Sequence, residues 1–320
     1  MGDPAGIGPE IITKFFDEHL PPDCVVYGDL RSMQSAIKTL GSKLALQPLA
    51  SPDQPLMPGC MPVFQACDTV PDNLQMGVIS AGAGKAAYQC VSRAIDDALA
   101  GNIKGMITAP LNKQAIHLAG FDFPGHTEIL AHRSGDVPVA MMLANDVIRV
   151  VLVTIHIPLS QVSQTISVDL ELQAIRLAQA ACQQLGIANP RIAVASLNPH
   201  ASEGGKFGDE EQRIITPAIE QAKAIGLDVS GPWPGDTIFG RARQGEFDVV
   251  VAQYHDQGLI PVKYLGLDQG VNVTIGLPFV RTSVDHGTAF DIAGEGLASE
   301  SSLAQAVTMA RLLVANRLLA

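Results

Sequence analysis

The sequence predicts an α/β protein built from mostly parallel sheets. Strand-like runs rich in Val and Ile alternate with helix-like segments along the whole chain, which is the pattern of α/β folds. Many of these runs are continuously apolar, as strands buried on both faces are. The chain has 320 residues, and single cores rarely grow beyond about 250–300 residues, so we expect two domains.

The predicted strands are short, and several end in polar loop residues. They cover residues 24–29, 104–110, 139–143, 147–156, 191–199, 248–255 and 271–276. The predicted helices cover residues 9–20, 81–100, 168–185, 210–225 and 299–319. The helix at 168–185 repeats apolar residues on one face; Ser167 or Asp169 can cap its start, and Gly186 ends it. We expect the Pro-rich segment from Pro48 to Pro62 to be a surface loop or an irregular connection.

Composition excludes several classes of partner. The net charge is −11 without any Lys/Arg cluster, so we expect no nucleic-acid partner. No run of 18 apolar residues is present, so we expect no membrane span. The five cysteines are an odd number and widely spaced, as is typical of reduced thiols, and the first residues do not resemble a signal peptide. These features predict a cytoplasmic protein.

The chain opens on GDPAGIGPE, a Gly-rich loop that leads into a helix with Pro9 in its first turn. Such loops normally follow a strand, and here only Met1 precedes the loop. We therefore expect that a first strand is missing from this numbering.

Three histidines stand where predicted strands end, His156 after VVLVTI, His200 after VASLNP and His255 after VVVAQY. Ligand chemistry gathers at the carboxyl ends of parallel strands. Three neutral imidazoles meeting there would bind a divalent metal and leave an open position, as catalytic zinc sites do. Asp256 follows His255 directly and is either an orienting partner of that ring or a further ligand.

Other polar residues are candidates for binding an anion. His126 and Thr127 stand at the start of a predicted helix, where free backbone N–H groups favour anions; the alternative is that Thr127 merely caps the helix. Lys263, Asn272 and Arg281 flank predicted buried segments and are candidates for holding phosphate or carboxylate. The alternative for Lys263 and Arg281 is that their charged ends extend to solvent.

Seven motifs taken together resemble the 4-hydroxythreonine-4-phosphate dehydrogenase family over nearly the whole chain. They are GDPAGIGPE, TAPLNK, GHTEIL, NPHASEGGKFGDEE, GPWPGDT, YHDQGLIPVK and VNVTIGLPFVRTSVDHGTAFDIAGEG. The first is also similar to the GDGIGPE loop of the wider isocitrate/isopropylmalate dehydrogenase group. HGTAFDIAGEG is similar to that group's HGSAPDIAGKG loop, which binds the adenosine half of the dinucleotide.

The resemblance implies an isocitrate/isopropylmalate dehydrogenase-like fold of two α/β/α domains, with the active site in the cleft between them. We place the first domain at 1–128 plus 277–320 and the second at 129–276. The resemblance also implies a homodimer in which both subunits contribute metal ligands. The implied metal ligands are His156, His200 and His255, for zinc, cobalt or magnesium. The implied substrate contacts are His126, Thr127, Lys263, Asn272 and Arg281. The implied contacts to NAD or NADP are His286, Gly287, Thr288, Asp291 and Gly294.

The implied reaction is oxidation of the C3 hydroxyl group of 4-phosphooxy-L-threonine by NAD(P)⁺, after which the 3-oxo acid loses CO₂. Asp236, Asp256, Lys263 or a metal-bound hydroxide would accept the proton. Relatives act on 4-phosphothreonate, 4-phosphoerythronate or a dihydrodiol dicarboxylate, and GHTEIL with Lys263 and Arg281 favours a phosphorylated substrate. More distant alternatives are a metal hydrolase, against which the Gly-rich 285–296 loop argues, and a two-domain binding protein, which the metal triad disfavours.

Overall fold

The computed structural model describes residues 1–68, 70–71, 73–265 and 270–317. These divide into two units, the first made of Met1–Val137 and Leu277–Ala310 and the second of Pro138–Gly276 with the described residues from Arg311 onwards. The first boundary thus lies later than the predicted 128/129. The end of the chain, which we predicted to belong to the first domain, groups with the second unit. Asn316 contributes to this grouping, since its Nδ2 donates to the carbonyl of Gln184 at 2.8 Å.

Strands and helices alternate along the described chain. The strands are β1 (Val26–Gly28), β2 (Ala45–Leu49), β3 (Cys60–Gln65), β4 (Gly105–Thr108), β5 (Ala140–Ala144), β6 (Arg149–Leu152), β7 (Ile192–Ala195), β8 (Val229–Trp233), β9 (Val249–Ala252), β10 (Val271–Ile275) and β11 (Val280–Ser283). The helices are α1 (Gly8–His19), α2 (Leu30–Thr39), α3 (Ala81–Leu99), α4 (Lys113–Leu118), α5 (His126–Arg133), α6 (Val162–Thr165), α7 (Val168–Gln184), α8 (Thr216–Ala224), α9 (Gly235–Arg243), α10 (His255–Tyr264) and α11 (Ser301–Arg317). None of the described helices is both long and apolar enough to cross a membrane.

The first unit contains a three-stranded parallel sheet in the order β1–β3–β2, together with the parallel pair β4–β11. Its apolar core gathers around one face of α1, where Ile11, Phe15 and Phe16 are buried. The loop GDPAGIGPE precedes this helix, and Asp3 N–H donates to the carbonyl of Pro110 at 2.9 Å. The opening motif is therefore fixed beside the end of β4.

In the second unit the strands run in the order β10–β5–β6–β9–β7–β8. The pairs β10–β5 and β5–β6 are antiparallel, whereas β6–β9, β9–β7 and β7–β8 are parallel. The central strands β7 and β9 are buried along their whole length, which explains their continuous apolar runs. The predicted α/β class with mostly parallel sheets is confirmed, and each of the seven predicted strands is present.

The prediction for residues 48–62 was wrong at both ends of the segment. Pro48 lies in β2 and Pro62 lies in β3. Pro48 is tolerated because β2 is the edge of its sheet, where a missing N–H group need not cost a ladder hydrogen bond. Strands β8 and β11 were also not predicted. Helix α11 was predicted to reach Leu319, a residue that lies outside those described.

Gly84 shows how closely α3 and α4 pack. A Cβ atom at this position would stand 2.0 Å from the carbonyl oxygen of Ala115 and 2.7 Å from the backbone nitrogen of Ile116. Both neighbours are backbone atoms of α4, which cannot rotate out of the way. Gly240 in α9 is a matched contrast, since a Cβ atom there would meet nothing within 4 Å.

We predict that Gly84→Ala lowers the stability of the protein by about 1–3 kcal/mol, because the added methyl group forces the two helices apart. Gly240→Ala should be neutral or stabilising by up to about 1 kcal/mol, since alanine is the better helix former. Urea unfolding followed by circular dichroism measures both changes. Equal midpoints for the two variants would contradict the close approach of α3 and α4.

Candidate active site

The three predicted metal ligands follow three strands that are neighbours in the sheet of the second unit. His156 comes after β6, His255 after β9 and His200 after β7, with β9 in the middle of the three. Because these strands are parallel, their carboxyl ends lie at one edge of the sheet. The rings of His156 and His255 lie close together, with 5.8 Å between their centroids.

Among residues 1–68, 70–71, 73–265 and 270–317, no group of three His, Cys, Asp or Glu side chains is arranged to hold a metal ion. The structure therefore brings His156 and His255 together and leaves His200 outside a three-ligand group of one chain. The His156 and His255 pair still fits a divalent metal chemically, since two imidazoles of adjacent strands supply two nitrogen donors on the same side. The His200 ring instead adjoins Phe207, with 6.4 Å between centroids.

Asp256 is the orienting partner of the His255 ring, which is one of the two roles that the sequence predicted for it. The His255 Nδ1 atom lies 2.7 Å from Asp256 Oδ1. This contact favours a proton on Nδ1 and leaves Nε2 with its lone pair available for a ligand. Both residues start α10, where Asp256 is exposed and His255 is half-buried.

His200 sits in an unusual backbone turn. His200, Ala201, Ser202 and Glu203 all have positive φ, at 52°, 49°, 63° and 45°. Successive left-handed residues other than glycine are costly and persist only where their surroundings fix them, which is common at functional sites. The fixing group here is the buried Glu211, a residue that we did not predict. Its Oε1 accepts from Leu197 N–H at 2.9 Å and from Asn198 N–H.

Arg281 is the central cation of a separate group of residues in the first unit. It is 2% exposed, so the alternative that its charge reaches solvent is wrong. Its Nη2 donates to Thr108 Oγ1 at 2.6 Å, which joins β11 to the end of β4. Burial lowers the pKa of Arg281 to about 9, with Glu128 acting in the opposite direction, so the guanidinium stays charged at neutral pH. A buried charge of this kind can bind an anionic group strongly.

His126 belongs to the same group. Burial, then the positive charges of Arg281 and Lys113, hold the pKa of His126 well below its usual range, so its ring is neutral at pH 7. Its Nε2 atom is buried and has no hydrogen-bond partner among the described residues. Helix α5 begins at His126 with Gly125 at the N-cap position, so Thr127 is in the first turn and does not cap the helix. The arrangement leaves N–H groups of a helix start next to a buried cation.

The remaining predicted residues lie in the second unit and differ in exposure. Asp236 is exposed in the first turn of α9. Lys263 is half-buried in the last turn of α10, so it lies within a helix, and it stands roughly 12 Å along the helix axis from His255. Asn272 lies on β10; its Nδ2 is 3.2 Å from Met141 Sδ, and its buried Oδ1 has no partner among the described residues.

The predicted cofactor loop is held against α1 by a residue that sequence reasoning missed. Glu10 is 1% exposed, and its carboxylate accepts from Gly294 N–H and, at 2.8 Å, from Gly296 N–H. The loop also contacts the opening motif, where Ile7 N–H donates to the carbonyl of Thr288 at 3.0 Å. Glu10 in GIGPE was the sequence signal for this contact, but we interpreted it only as part of a helix start.

A cavity of about 240 Å³ adjoins this loop. Glu10, Asp29, Ser32 and Gly294 are among its lining residues. Carboxylate and hydroxyl groups thus lie beside a Gly-rich backbone here, with Glu10 bonded to Gly294 and Gly296 N–H and Asp29 bonded to Ser32. All five predicted cofactor contacts, His286, Gly287, Thr288, Asp291 and Gly294, are exposed or half-buried in the same loop.

Comparison with known proteins identifies the family. The model of the pyridoxal phosphate biosynthetic protein PdxA family matches residues 21–310. A 4-hydroxythreonine-4-phosphate dehydrogenase of Beijerinckia indica is 54% identical over 95% of this chain and 90% of its own. A D-threonate 4-phosphate dehydrogenase of Salmonella typhimurium is 47% identical over 97% of this chain and 96% of its own. A crystal structure of 4-hydroxythreonine-4-phosphate dehydrogenase from Klebsiella pneumoniae superposes with a TM-score of 0.89 at 43% identity, covering 98% of this chain and 96% of that one. The chain therefore belongs to the PdxA family of pyridoxal phosphate biosynthesis and is an oxidoreductase.

Proposed function

We propose that the protein oxidises 4-phosphooxy-L-threonine with NAD(P)⁺ in a reaction that depends on a divalent metal. The product, 2-amino-3-oxo-4-phosphooxybutanoate, then loses CO₂ to give 3-amino-2-oxopropyl phosphate, a step towards pyridoxine 5′-phosphate. The observation that carries the proposal is the pairing of His156 and His255 at adjacent parallel strand ends in a member of this family. We further propose that the protein works in the cytoplasm as a homodimer.

His156 and His255 would supply two metal ligands from one subunit, and His200 would supply the third from the second subunit. This division agrees with the lack of a three-ligand group among the described residues of one chain. A bound divalent metal supplies Lewis acidity that lowers the pKa of the substrate hydroxyl group. An imidazole ligand set suits zinc and cobalt better than magnesium, which prefers oxygen ligands.

Arg281, His126 and Thr127 would bind the phosphate or carboxylate of the substrate. The support is the buried charge of Arg281 beside the first turn of α5. Because His126 is neutral, its ring offers one hydrogen-bond donor without adding charge, and Nε2 is the atom that lacks a partner. Lys263 and Asn272 would provide the remaining polar contacts to the substrate.

NAD(P)⁺ would bind at the loop that Glu10 holds, next to the cavity lined by Asp29 and Ser32. Bound NAD(P)⁺ would supply a hydride acceptor for the C3 hydrogen, and a side chain of the protein would take the hydroxyl proton as the base. Asp236, Asp256 and Lys263 remain the candidates for that base. The contact of Asp256 with His255 leaves it less free to accept a substrate proton than Asp236.

A second candidate substrate is D-threonate 4-phosphate, which carries a hydroxyl group at C2 in place of the amino group. It is favoured by the 47% identical Salmonella typhimurium protein, whose name states that substrate. The residues proposed to bind phosphate and carboxylate would serve either molecule. Only turnover distinguishes them.

We predict that the chelator-treated protein with added zinc reduces NAD(P)⁺ in the presence of 4-phosphooxy-L-threonine, while D-threonate 4-phosphate and 4-phosphoerythronate react more slowly. Absorbance of the reduced nicotinamide measures each rate. Zinc-free protein is the control and should be inactive. Faster reaction with the sugar acids would keep the metal and hydride chemistry and reject the proposed substrate.

We predict that zinc binding is weakened strongly in each of three variants, His156→Ala, His200→Ala and His255→Ala. Replacing residues that surround a metal's direct ligands weakens binding by roughly 10–100-fold, and we expect a larger effect here. The ligands contribute the bonds themselves, so the loss should be larger. Equilibrium dialysis with zinc measures it, and His117→Ala, an exposed histidine of α4, is the control. Normal zinc binding by His200→Ala would remove that residue from the site.

We predict that Arg281→Met raises KM for the phosphorylated substrate by about 10–150-fold, the equivalent of a hydrogen bond to a charged group worth about 1.5–3 kcal/mol. Removing this positive neighbour should also raise the pKa of His126 towards its usual value, because burial would act on it without the Arg281 charge. NMR titration of the histidine rings measures that shift. The exposed Arg176→Met is the control, and an unchanged KM in Arg281→Met would contradict the anion site.

A further inference from the structure

Gln253 connects the three strand ends that carry the histidines. It directly follows β9, the middle strand, and is fully buried. Its carbonyl accepts from the N–H of Thr154 at 3.2 Å and from Thr154 Oγ1 at 2.7 Å, which ties it to the end of β6. Its Nε2 donates to the carbonyl of Ala195 at 2.9 Å, which ties it to the last residue of β7.

Gln257, in the first turn of α10, makes a second connection of this kind. Its Oε1 accepts from the N–H of Gln253 at 2.7 Å, and its Nε2 donates to the carbonyl of Ser196 at 2.7 Å. The start of α10, which bears His255, is thereby fixed to the strand end that leads to His200. The bonds of Gln253 to Thr154 and Ala195 each join the segment that precedes His255 to a segment that precedes another histidine.

Glu171 lies behind this connection. It is in the first turn of α7 and is 0% exposed. Neither of its carboxyl oxygens has a hydrogen-bond partner among the described residues, and the same is true of Gln253 Oε1. Burial raises the pKa of Glu171 to about 8, and the adjoining Gln253 side chain lowers it by less than burial raises it. Glu171 is therefore mostly neutral at pH 7 and carries an O–H group.

Two acceptors would repel each other, whereas a neutral carboxyl group can donate to Gln253 Oε1. One such bond would give a partner to a buried oxygen of each residue, and leaving such atoms without one is costly. It would also fix the rotation of the Gln253 amide, so that Nε2 faces Ala195.

We propose that Gln253 is a positioning residue for the metal site, and that the buried carboxyl group of Glu171 holds its amide in the orientation that joins the ends of β6, β9 and β7. The inference rests on the proposed function, in which the histidines after these strands bind a divalent metal. Neither residue need touch the metal or the substrate. Their role is to set the spacing of His156 and His255, and the angle at which the chain leaves β7 towards His200.

The test compares zinc affinity across four variants, measured by competition with a chromogenic chelator at pH 7. In Gln253→Met and Glu171→Leu the dissociation constant of zinc should rise by roughly 10–100-fold, as when the outer partners of a metal site are changed. Glu171→Gln keeps a neutral donor of similar shape and should stay within about 3-fold of wild type. Gln179→Leu, a polar-to-apolar change two turns along α7, is the matched control and should bind zinc normally.

Thermal melting of the zinc-free proteins separates positioning from general stability. Glu171→Leu leaves the buried Gln253 Oε1 without a donor, so it should melt below wild type, whereas Glu171→Gln keeps a donor and should melt close to wild type. Zinc affinities are therefore compared at a temperature at which every zinc-free variant is fully folded, so that weaker binding by folded Glu171→Leu reports positioning. Zinc affinity equal to wild type in both Gln253→Met and Glu171→Leu would overturn the positioning role and leave the proposed metal site unaffected. No zinc uptake by the wild-type protein would overturn the proposed metal site and the role of Gln253 with it.

Discussion

Parallel pairing of β6, β9 and β7 is the constraint on which the candidate metal site depends. Neighbouring parallel strands end at the same edge of a sheet. Residues that follow these strands therefore lie close together even though they are far apart in sequence. His156 and His255 follow adjacent strands, and their rings stand 5.8 Å apart between centroids. An antiparallel β9 would have sent His255 to the opposite edge. The placement of the two histidines is therefore fixed by the direction of β9.

Burial acts on two ionisable groups in opposite ways that suit their proposed roles. It lowers the pKa of Arg281 to about 9, which leaves the guanidinium charged at pH 7, as the proposed binding of an anion requires. It raises the pKa of Glu171 to about 8, which leaves the carboxyl group mostly neutral and able to donate a hydrogen bond. Desolvation favours the neutral form of both groups. Arg281 stays charged because its ordinary pKa lies far above 7, whereas the carboxyl group of Glu171, whose ordinary pKa lies below 7, becomes mostly neutral.

The fold class and the strands that carry the histidines could be predicted because both are local patterns, namely apolar runs followed by polar residues. Residues whose role depends on distant partners could not. Glu10 contacts Gly294 and Gly296, and Glu211 contacts the backbone before His200, yet each looks like an ordinary acidic residue of a helix start. The Pro-rich ends of β2 and β3 were missed because proline indicates loops unless the strand is known to lie at an edge.

The turn at His200 shows why a buried carboxylate beside it matters. Positive φ at four consecutive residues other than glycine is costly, so the turn must be held by bonds outside itself. Glu211 provides them by accepting from two backbone N–H groups just before the turn. The exposed His200 ring therefore extends from a fixed backbone, and it belongs to no three-ligand group within the part of the chain that the structure describes. In the proposed homodimer His200 would complete the site of the second subunit, and a fixed backbone would favour this because a mobile loop would have to be ordered each time the metal binds.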